Sequence, residues 1–184
     1  MSGRSRKNRA MIEFPPIPED NKILFFKRDR AVFGFLSHFH PSPITMDAVP
    51  WPTVEHFYQS HKSLDPRYYA AIRGCETPGL AKRTATTPVP GKKDRGSWFF
   101  AENEMPRADW ADVKAGIMRR ADMAKYMQNP GLATQLLATG DAEIIEDSPY
   151  DDYWGIGHDG AGKNWAGVII MEVRDALRKR APVA

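Results

Sequence analysis

The most informative segment of this 184-residue chain reads WPTVEHFYQSHKS, from Trp51 to Ser63. Thr53 is a typical N-cap residue, and the apolar residues after it recur at the spacing of one helical face. Those positions are Val54, Phe57, Tyr58 and His61. The segment therefore predicts a helix over residues 53–63 whose apolar stripe packs against a core.

The polar residues of this helix share a second face. Glu55, Gln59 and Lys62 are spaced i, i+4 and i+7, so their side chains lie one above another. On its own, this pattern is typical of the solvated side of a surface helix. The same spacing would also bring a carboxylate, an amide and an amine together in a site, and the pattern leaves both interpretations open.

Patterns on either side of this helix predict the rest of the fold. The apolar run at 23–26 predicts a buried strand, and residues 32–39 predict a strand or a turn that leads into an irregular, Pro-rich segment. Further helices are predicted at Pro66–Arg73, 77–85, Trp110–Gln128, 130–139 and 167–180, with a short strand at Glu143–Glu146. Together these elements predict an α+β fold that is mainly helical, a single compact domain with a few short strands over residues 21–180.

Composition and charge narrow the functional classes. The chain has 26 Lys and Arg against 23 Asp and Glu, but four of the basic residues lie in the first ten positions, which leaves 22 against 23 elsewhere. Residues 1–20 are therefore predicted to be a basic, Pro-rich, flexible tail rather than evidence for a nucleic-acid-binding domain. With one cysteine and no apolar run of membrane length, the chain is expected to be cytoplasmic, without a membrane partner.

Several familiar motifs are rejected on their context. Residues 155–160 fit G-x-G-x-x-G, but no βαβ unit surrounds them, so a dinucleotide fold is not predicted. The spacing of the five histidines does not suit a metal, and these side chains are expected to be structural. Cys75 lies at the end of a predicted helix and is interpreted as a small half-buried thiol.

The acidic, aromatic and Gly-rich loop over residues 148–164 is more suggestive. Its glycine amides could approach an anion, Trp154 offers a face to a flat base, and Asp151 supplies a carboxylate. Such groups suit cleavage of a bond between a sugar and a base, because the leaving nitrogen needs a proton and the sugar develops oxocarbenium charge. Trp110 and Lys114, four residues apart, either join this site or pack on the core.

Four segments, in the same order, resemble the NADAR (NAD- and ADP-ribose-associated) family. They are FLSHF at 35–39, WPTVEHFYQ at 51–59 with Lys62, Trp110-x-x-x-Lys114 with Met118, and the glycine-rich stretch from Asp151 through Asn164 to Arg174. The resemblance implies an N-glycosidase that acts on ribosyl substrates. The two substrate classes it implies are ribosylamino-pyrimidine phosphates of riboflavin biosynthesis and ADP-ribose attached to guanine bases.

The resemblance also implies roles for individual residues. Glu55 would be a general acid or base, Asp151 would stabilise the oxocarbenium ion or orient water, and Trp110 would stack on the base or ribose. The implied substrate-binding residues are Ser37, His38, Gln59, Lys62, Lys114, Trp154, Gly155, Gly157, Lys163 and Asn164. The three lysines are the candidates for phosphate contacts, and neither a metal nor another cofactor is needed.

Two departures from the family pattern affect the substrate. His38 stands where the family commonly has Asn, and the predicted loop at 86–107 is longer than in compact bacterial members. That loop carries a basic cluster, Lys92, Lys93 and Arg95, that would suit ADP-ribosylated nucleic acid as a partner rather than a small ribosyl phosphate. A non-catalytic module that binds NAD or ADP-ribose is the alternative function, and an amine nucleophile at Lys62 is an open variant of the mechanism.

Overall fold

A computed structural model describes residues 14–26, 32–85 and 106–180 of the chain. Its strands are β1 (Lys22–Phe25), β2 (Ile44–Met46), β3 (Val49–Trp51) and β4 (Glu143–Glu146). Its helices are α1 (Val54–Ser60), α2 (Pro66–Arg73), α3 (Pro78–Thr84), α4 (Trp110–Gln128), α5 (Pro130–Ala138) and α6 (Trp165–Arg180), with a 3-10 turn at Gly34–Leu36. The predicted mainly helical α+β class is confirmed.

Strands β1 and β4 form a parallel pair in the core, although they come from opposite ends of the chain. Ile23 pairs with Ile144, and Phe25 pairs with Glu146. The three apolar side chains of these pairs are buried. Since the strands are parallel, their carboxyl ends lie at one edge of the pair. Glu146 is therefore brought to that edge, where the loop over residues 147–164 begins.

Helix α1 lies at the centre of the fold, against α2, α3 and α4. The predicted N-cap is confirmed, because Thr53 Oγ1 accepts a hydrogen bond from the His56 backbone N–H at 3.3 Å. All seven residues of the helix are buried. A helix this short obtains its stability from such packing rather than from its own hydrogen bonds.

Helix α6 packs against β4 and α4 and closes the core. It begins at Trp165, two residues before the predicted start at Gly167. A Cβ at Gly167 would overlap the Ile144 carbonyl oxygen, so the glycine permits the close approach of helix and strand.

The prediction of an irregular segment before α1 is wrong in one respect, because this segment contains the antiparallel hairpin β2–β3. Asp47 and Ala48 form its turn with φ of 51° and 62°, a left-handed pair that non-glycine residues rarely adopt. The sequence pattern did not predict this hairpin because Pro50 lies in its second strand, and a proline normally argues against a strand.

Parts of two predicted regions lie outside the described residues. These parts are residues 1–13 of the tail and most of the 86–107 loop, including its basic cluster. Phe14 and Ile17, which fall within the predicted tail, pack partly buried against the core. Across the three described ranges, no helix is long and apolar enough to cross a membrane.

Candidate active site

A cavity of about 160 Å³ lies between α1, α3, α4, the turn after Gly34–Leu36 and the carboxyl end of β4. Its walls are unusually rich in ionisable groups for so small a space. They are formed by Ser37, His38, Phe39, Glu55, Tyr58, Gln59, Lys62, Lys82, Met118, Glu146, Asp151 and Trp154. The cavity thus brings together seven of the thirteen site residues predicted from sequence.

The polar face of α1 forms one wall of this cavity. Glu55 is 5% exposed and Gln59 is 3% exposed, so the interpretation of this face as a solvated surface is wrong. Gln59 Nε2 donates a hydrogen bond of 2.8 Å to Glu55 Oε1, while the Glu55 backbone N–H donates to the His38 carbonyl oxygen at 3.2 Å. The Glu55 carboxyl group is therefore held in one orientation by its own helix.

Lys62, in the turn that follows α1, also lines the cavity. Its Nζ donates to the Ala85 carbonyl oxygen at 3.3 Å. Burial lowers the pKa of Lys62, and Lys82 lowers it further, while the nearby Glu55 opposes the shift. A larger fraction of this amine is consequently neutral than for a lysine in water.

Glu146, at the end of β4, is a site residue that the sequence reasoning missed. Its Oε2 is buried and has no hydrogen-bond partner among the described residues. Burial raises the pKa of Glu146 to about 7, with Asp151 and Glu55 adding to the rise and His38 and Lys82 opposing it. The only signal in the sequence was an acidic residue closing a buried strand.

Asp151 completes a group of three carboxyl residues around the cavity. Its Oδ1 accepts hydrogen bonds from the backbone N–H groups of Tyr153 (3.0 Å) and Trp154 (2.8 Å). This Asx turn fixes the carboxyl group and also directs the Trp154 ring, which meets Tyr58 edge-on at 5.3 Å between centroids. Two aromatic side chains therefore border the carboxyl cluster.

The glycines of the loop have a different environment from the one predicted. The backbone N–H of Gly157 donates to the Asp151 carbonyl oxygen at 3.2 Å, so it is used within the loop rather than in an anion-binding nest. Gly155 packs so tightly that a Cβ would come within 2.7 Å of the Glu146 carbonyl oxygen. These glycines support the site by letting the loop lie close against β4.

Asn164 fastens the other end of this loop. Its Oδ1 accepts from the Glu146 backbone N–H and its Nδ2 donates to the Ile144 carbonyl oxygen, both at 2.9 Å. Neither Asn164 nor the glycines line the cavity, and their predicted contacts with substrate stay predictions. Their described contacts instead position Glu146 and Asp151.

Trp110, Lys114 and Lys163 also do not line the cavity. The Trp110 ring lies against Tyr58, with centroids 5.0 Å apart, so it reaches the site only through that side chain. Lys114 Nζ sits 3.4 Å from the centre of the Tyr153 ring, and Lys163 Nζ is 5.6 Å from the same ring. The two lysines flank the loop outside the carboxyl cluster.

A second cavity of about 410 Å³ adjoins the first. It shares five lining residues with it and adds a basic and an aromatic side chain, Arg83 and Phe26. The shared residues are Ser37, Phe39, Lys82, Glu146 and Asp151. A ligand that places its reacting bond among the carboxyl groups could therefore extend towards Lys82 and Arg83.

The structural role predicted for the histidines is supported at His56 and His61. His56 Nε2 lies 3.1 Å from the Cys75 carbonyl oxygen, and His61 Nδ1 lies 2.8 Å from the Phe57 carbonyl oxygen. His38 instead lines the cavity and contacts Asp122. Cys75 is a half-buried free thiol, as predicted. Within the described part of the chain, no three His, Cys, Asp or Glu side chains are grouped to hold a metal ion.

Comparison with known proteins adds a family and a set of relatives. Residues 24–178 match the model of the NADAR domain. N-glycosidase YbiA of Escherichia coli (strain K12) is 37% identical over 161 residues, which cover 88% of this chain and 91% of that protein. N-glycosidase Npun_R5314 of Nostoc punctiforme is 33% identical over 155 residues and is covered to 92%.

A longer relative and a solved structure agree with these matches. Riboflavin biosynthesis protein VVA0006 of Vibrio vulnificus is 37% identical over 163 residues, but the match spans only 40% of its length. The NMR structure of the E. coli protein YbiA superimposes with a TM-score of 0.74 at 34% identity, and the match covers 91% of each chain. The similarity thus extends across the elements that build the cavity.

Proposed function

The chain belongs to the NADAR domain family and is a hydrolase of the N-glycosidase class, and from this premise we propose that it cleaves the bond between a phosphorylated ribosyl group and an amino-pyrimidine. The observation that carries the proposal is a cavity with three carboxyl groups in different environments. Glu55 is hydrogen-bonded by Gln59, Asp151 by backbone amides, and Glu146 is buried without a partner for Oε2 among the described residues.

These environments suggest a division of the chemical work. A buried carboxyl group with a raised pKa can hold a proton near neutral pH, and burial raises the pKa of Glu146 to about 7. Glu146 is therefore the proton donor to the leaving nitrogen as the bond between C1′ and that nitrogen breaks. Asp151 stabilises the positive charge that develops on the ribosyl ring, as predicted from the family resemblance.

Water completes the reaction by attacking C1′. Glu55 takes the proton of that water as general base, and the Gln59 amide keeps its carboxyl group oriented. The products are the free ribosyl hydroxyl compound and the amine. A direct attack by the Lys62 amine is the variant that its lowered pKa supports, and a borohydride-trapped adduct would distinguish it.

Aromatic and basic side chains around the carboxyl groups provide the binding contacts in this proposal. Tyr58 and Trp154 border the cavity and would pack against the flat ring of the leaving group. Lys62 and Lys82 line the same space and would attract the phosphate group. Trp110, which is behind Tyr58, would act by fixing that ring.

The adjoining cavity supports a second substrate class, ADP-ribose on a guanine base. An ADP-ribosyl group carries two phosphates and an adenine ring beyond the ribose that reacts. The 410 Å³ cavity offers Lys82 and Arg83 for the phosphates and Phe26 for the ring. This observation keeps ADP-ribosylated nucleic acid as a second candidate.

A mass-spectrometric hydrolysis assay tests both classes. The purified chain is incubated with a ribosylamino-pyrimidine phosphate and, separately, with an oligonucleotide that carries ADP-ribosylated guanine. Release of the free pyrimidine supports the first class, and release of ADP-ribose with a marked dependence on salt supports the second. Turnover of neither, with ADP-ribose still bound, would favour the non-catalytic reader. A cytoplasmic location is part of this proposal, because both substrates are intracellular metabolites or nucleic acids.

A further inference from the structure

Helix α4 carries two charged residues that are completely buried. Asp122 and Lys125, three positions apart, are both 0% exposed. Burying a charge costs several kcal/mol unless it is paired or hydrogen-bonded, so groups of this kind are retained where their contacts offset the cost. Both side chains contact the same short segment, residues 36–38, which forms part of the cavity wall.

Lys125 holds the backbone of this segment. Its Nζ donates to the carbonyl oxygens of Ser37 at 3.1 Å and Leu36 at 3.4 Å. Burial lowers the pKa of Lys125 to about 8, with the charge of Asp122 opposing that shift. The lysine thus fixes the turn that presents Ser37 and His38 to the cavity.

Asp122 holds the side chain of the next residue. Its Oδ2 lies 3.0 Å from His38 Nε2. A carboxylate can only accept, so Nε2 carries the proton. Burial by itself lowers the pKa of His38, but the charge and hydrogen bond of Asp122, with the charge of Glu146, outweigh it and the pKa is raised. The Asp122 contact and the direction of this shift both favour the cationic form of His38, which lines the cavity.

We propose that His38 is a specificity residue that binds the anionic group of the substrate as an imidazolium ion, and that Asp122 is the positioning residue that maintains it in this form. The inference rests on the proposed function, because it concerns the same cavity. It gives a role to a fully buried carboxyl group on α4 that contacts a histidine of the cavity wall. Its chemical consequence is a preference for ligands whose phosphate lies next to the turn at residues 36–38.

Other charged groups face His38 from every element packed around it. They are Asp122 and Lys125 on α4, Glu146 on β4, Glu55 on α1, Lys62 in the turn after α1, Lys82 on α3, and Asp151 in the loop. A pH profile of the unaltered protein would combine the titrations of all these groups. The test therefore compares variants at one pH before it compares two pH values.

Ribose 5-phosphate is the first probe, and its dissociation constant is measured by titration calorimetry at pH 8.0 and pH 5.5. Asp122→Asn keeps an oxygen opposite His38 but removes the charge, so we expect binding about tenfold weaker at pH 8.0. At pH 5.5 the deficit should shrink to about threefold or less, because His38 then gains its proton from solution. His38→Gln has no such proton to gain and should stay weak at both pH values.

Asp112→Asn is the matched control, since Asp112 lies on α4 but is exposed. It should bind the probe like the unaltered chain at both pH values. ADP-ribose is titrated in parallel, to distinguish a monophosphate from a diphosphate as the group that His38 contacts. The probe whose affinity falls more in Asp122→Asn carries the group that His38 contacts.

Three results would overturn the inference. These are equal affinities in all variants at pH 8.0, an equal deficit of Asp122→Asn at both pH values, or no binding of either probe by the unaltered chain. Because binding is measured without turnover, a chain that binds as expected but hydrolyses nothing would contradict the proposed function and leave this inference intact.

Discussion

Two walls of the same cavity hold a glutamate in opposite ways. On α1, Glu55 receives a hydrogen bond from Gln59 one turn away, within a single helix. On β4, Glu146 is brought to the cavity by strand pairing and is left with an unpartnered, buried oxygen among the described residues. The comparison shows how one small cavity can hold one carboxyl group in a hydrogen bond and bury another whose pKa is raised to about 7.

Removing the acid on the α1 wall should have the largest effect. Glu55→Gln keeps the shape and the contact with Gln59 but removes the general base, so kcat should fall by about 10³-fold. The affinity for ribose 5-phosphate should change by less than about threefold. Steady-state kinetics, with Glu143→Gln on the exposed side of β4 as control, checks this expectation; retained kcat would exclude Glu55 from the chemistry.

The buried glutamate of the β4 wall should make the stability of the chain depend on pH. The pKa of Glu146 is about 7 in the folded chain against an ordinary value of 4.5, so the folded state binds the extra proton between these values. The contribution of Glu146 to the free energy of unfolding should therefore fall by about 3 kcal/mol as the pH rises from about 4.5 to 7.

Urea unfolding at several pH values measures this slope. Glu146→Gln should remove Glu146's share of the slope, while Glu143→Gln should leave it unchanged. An identical slope in both variants would show that Glu146 does not bind the extra proton.

The same substitution tests the assignment of the proton donor. Glu146→Gln cannot supply a proton, so kcat should fall by about 10²-fold at pH 6. At pH 8.5 the unaltered chain has itself lost that proton, and the difference between the two should narrow. A constant ratio across this range of kcat measurements would assign the proton donor to another group.

The close contact between Gly155 of the loop and the end of β4 should contribute to the stability of the folded chain. A methyl group at Gly155 would approach the Glu146 carbonyl oxygen to 2.7 Å, so Gly155→Ala should destabilise the chain by about 1–3 kcal/mol. Gly116→Ala is the matched control, because nothing lies within 4 Å of its Cβ and a helix gains from alanine. Thermal unfolding of both variants separates the two cases.

The smallest effect is expected from the basic side chain between the two cavities. Lys82→Gln should raise KM by about tenfold at low salt, with kcat little changed, because it removes a charge that attracts phosphate. The loss should diminish at high salt. Lys179→Gln, exposed near the end of α6, should leave KM unaltered.

Local sequence patterns placed the polar residues of the α1 wall on one helix face but did not predict that the face is buried. The i, i+4 spacing of Glu55 and Gln59 predicts that they share one helix face, and the structure shows a hydrogen bond between them. Whether that face is solvated or buried depends on segments far along the chain, and the surface interpretation was wrong for this reason. The position of Glu146 at the end of a buried strand was the only local signal for it, because its neighbours in the site come from α1, α3 and a later loop.

The Gly-rich loop also shows what local sequence cannot predict. Its composition indicated a functional region, and Asp151 and Trp154 do line the cavity. Gly155 and Asn164, however, contact the backbone of β4. Composition identifies residues that permit close approach, but it does not say whether a ligand or another strand is approached.

The sequence by itself determined the helices, the N-cap at Thr53, the mainly helical α+β class and the family. These follow from periodicities and motifs that are read within a few dozen residues. Only the tertiary structure decided that a polar helix face would be buried, that Glu146 would be an unpartnered acid, and that Asp122 would lie against His38. Such features arise from pairing across more than 80 residues, where burial and charge depend on the elements that meet there.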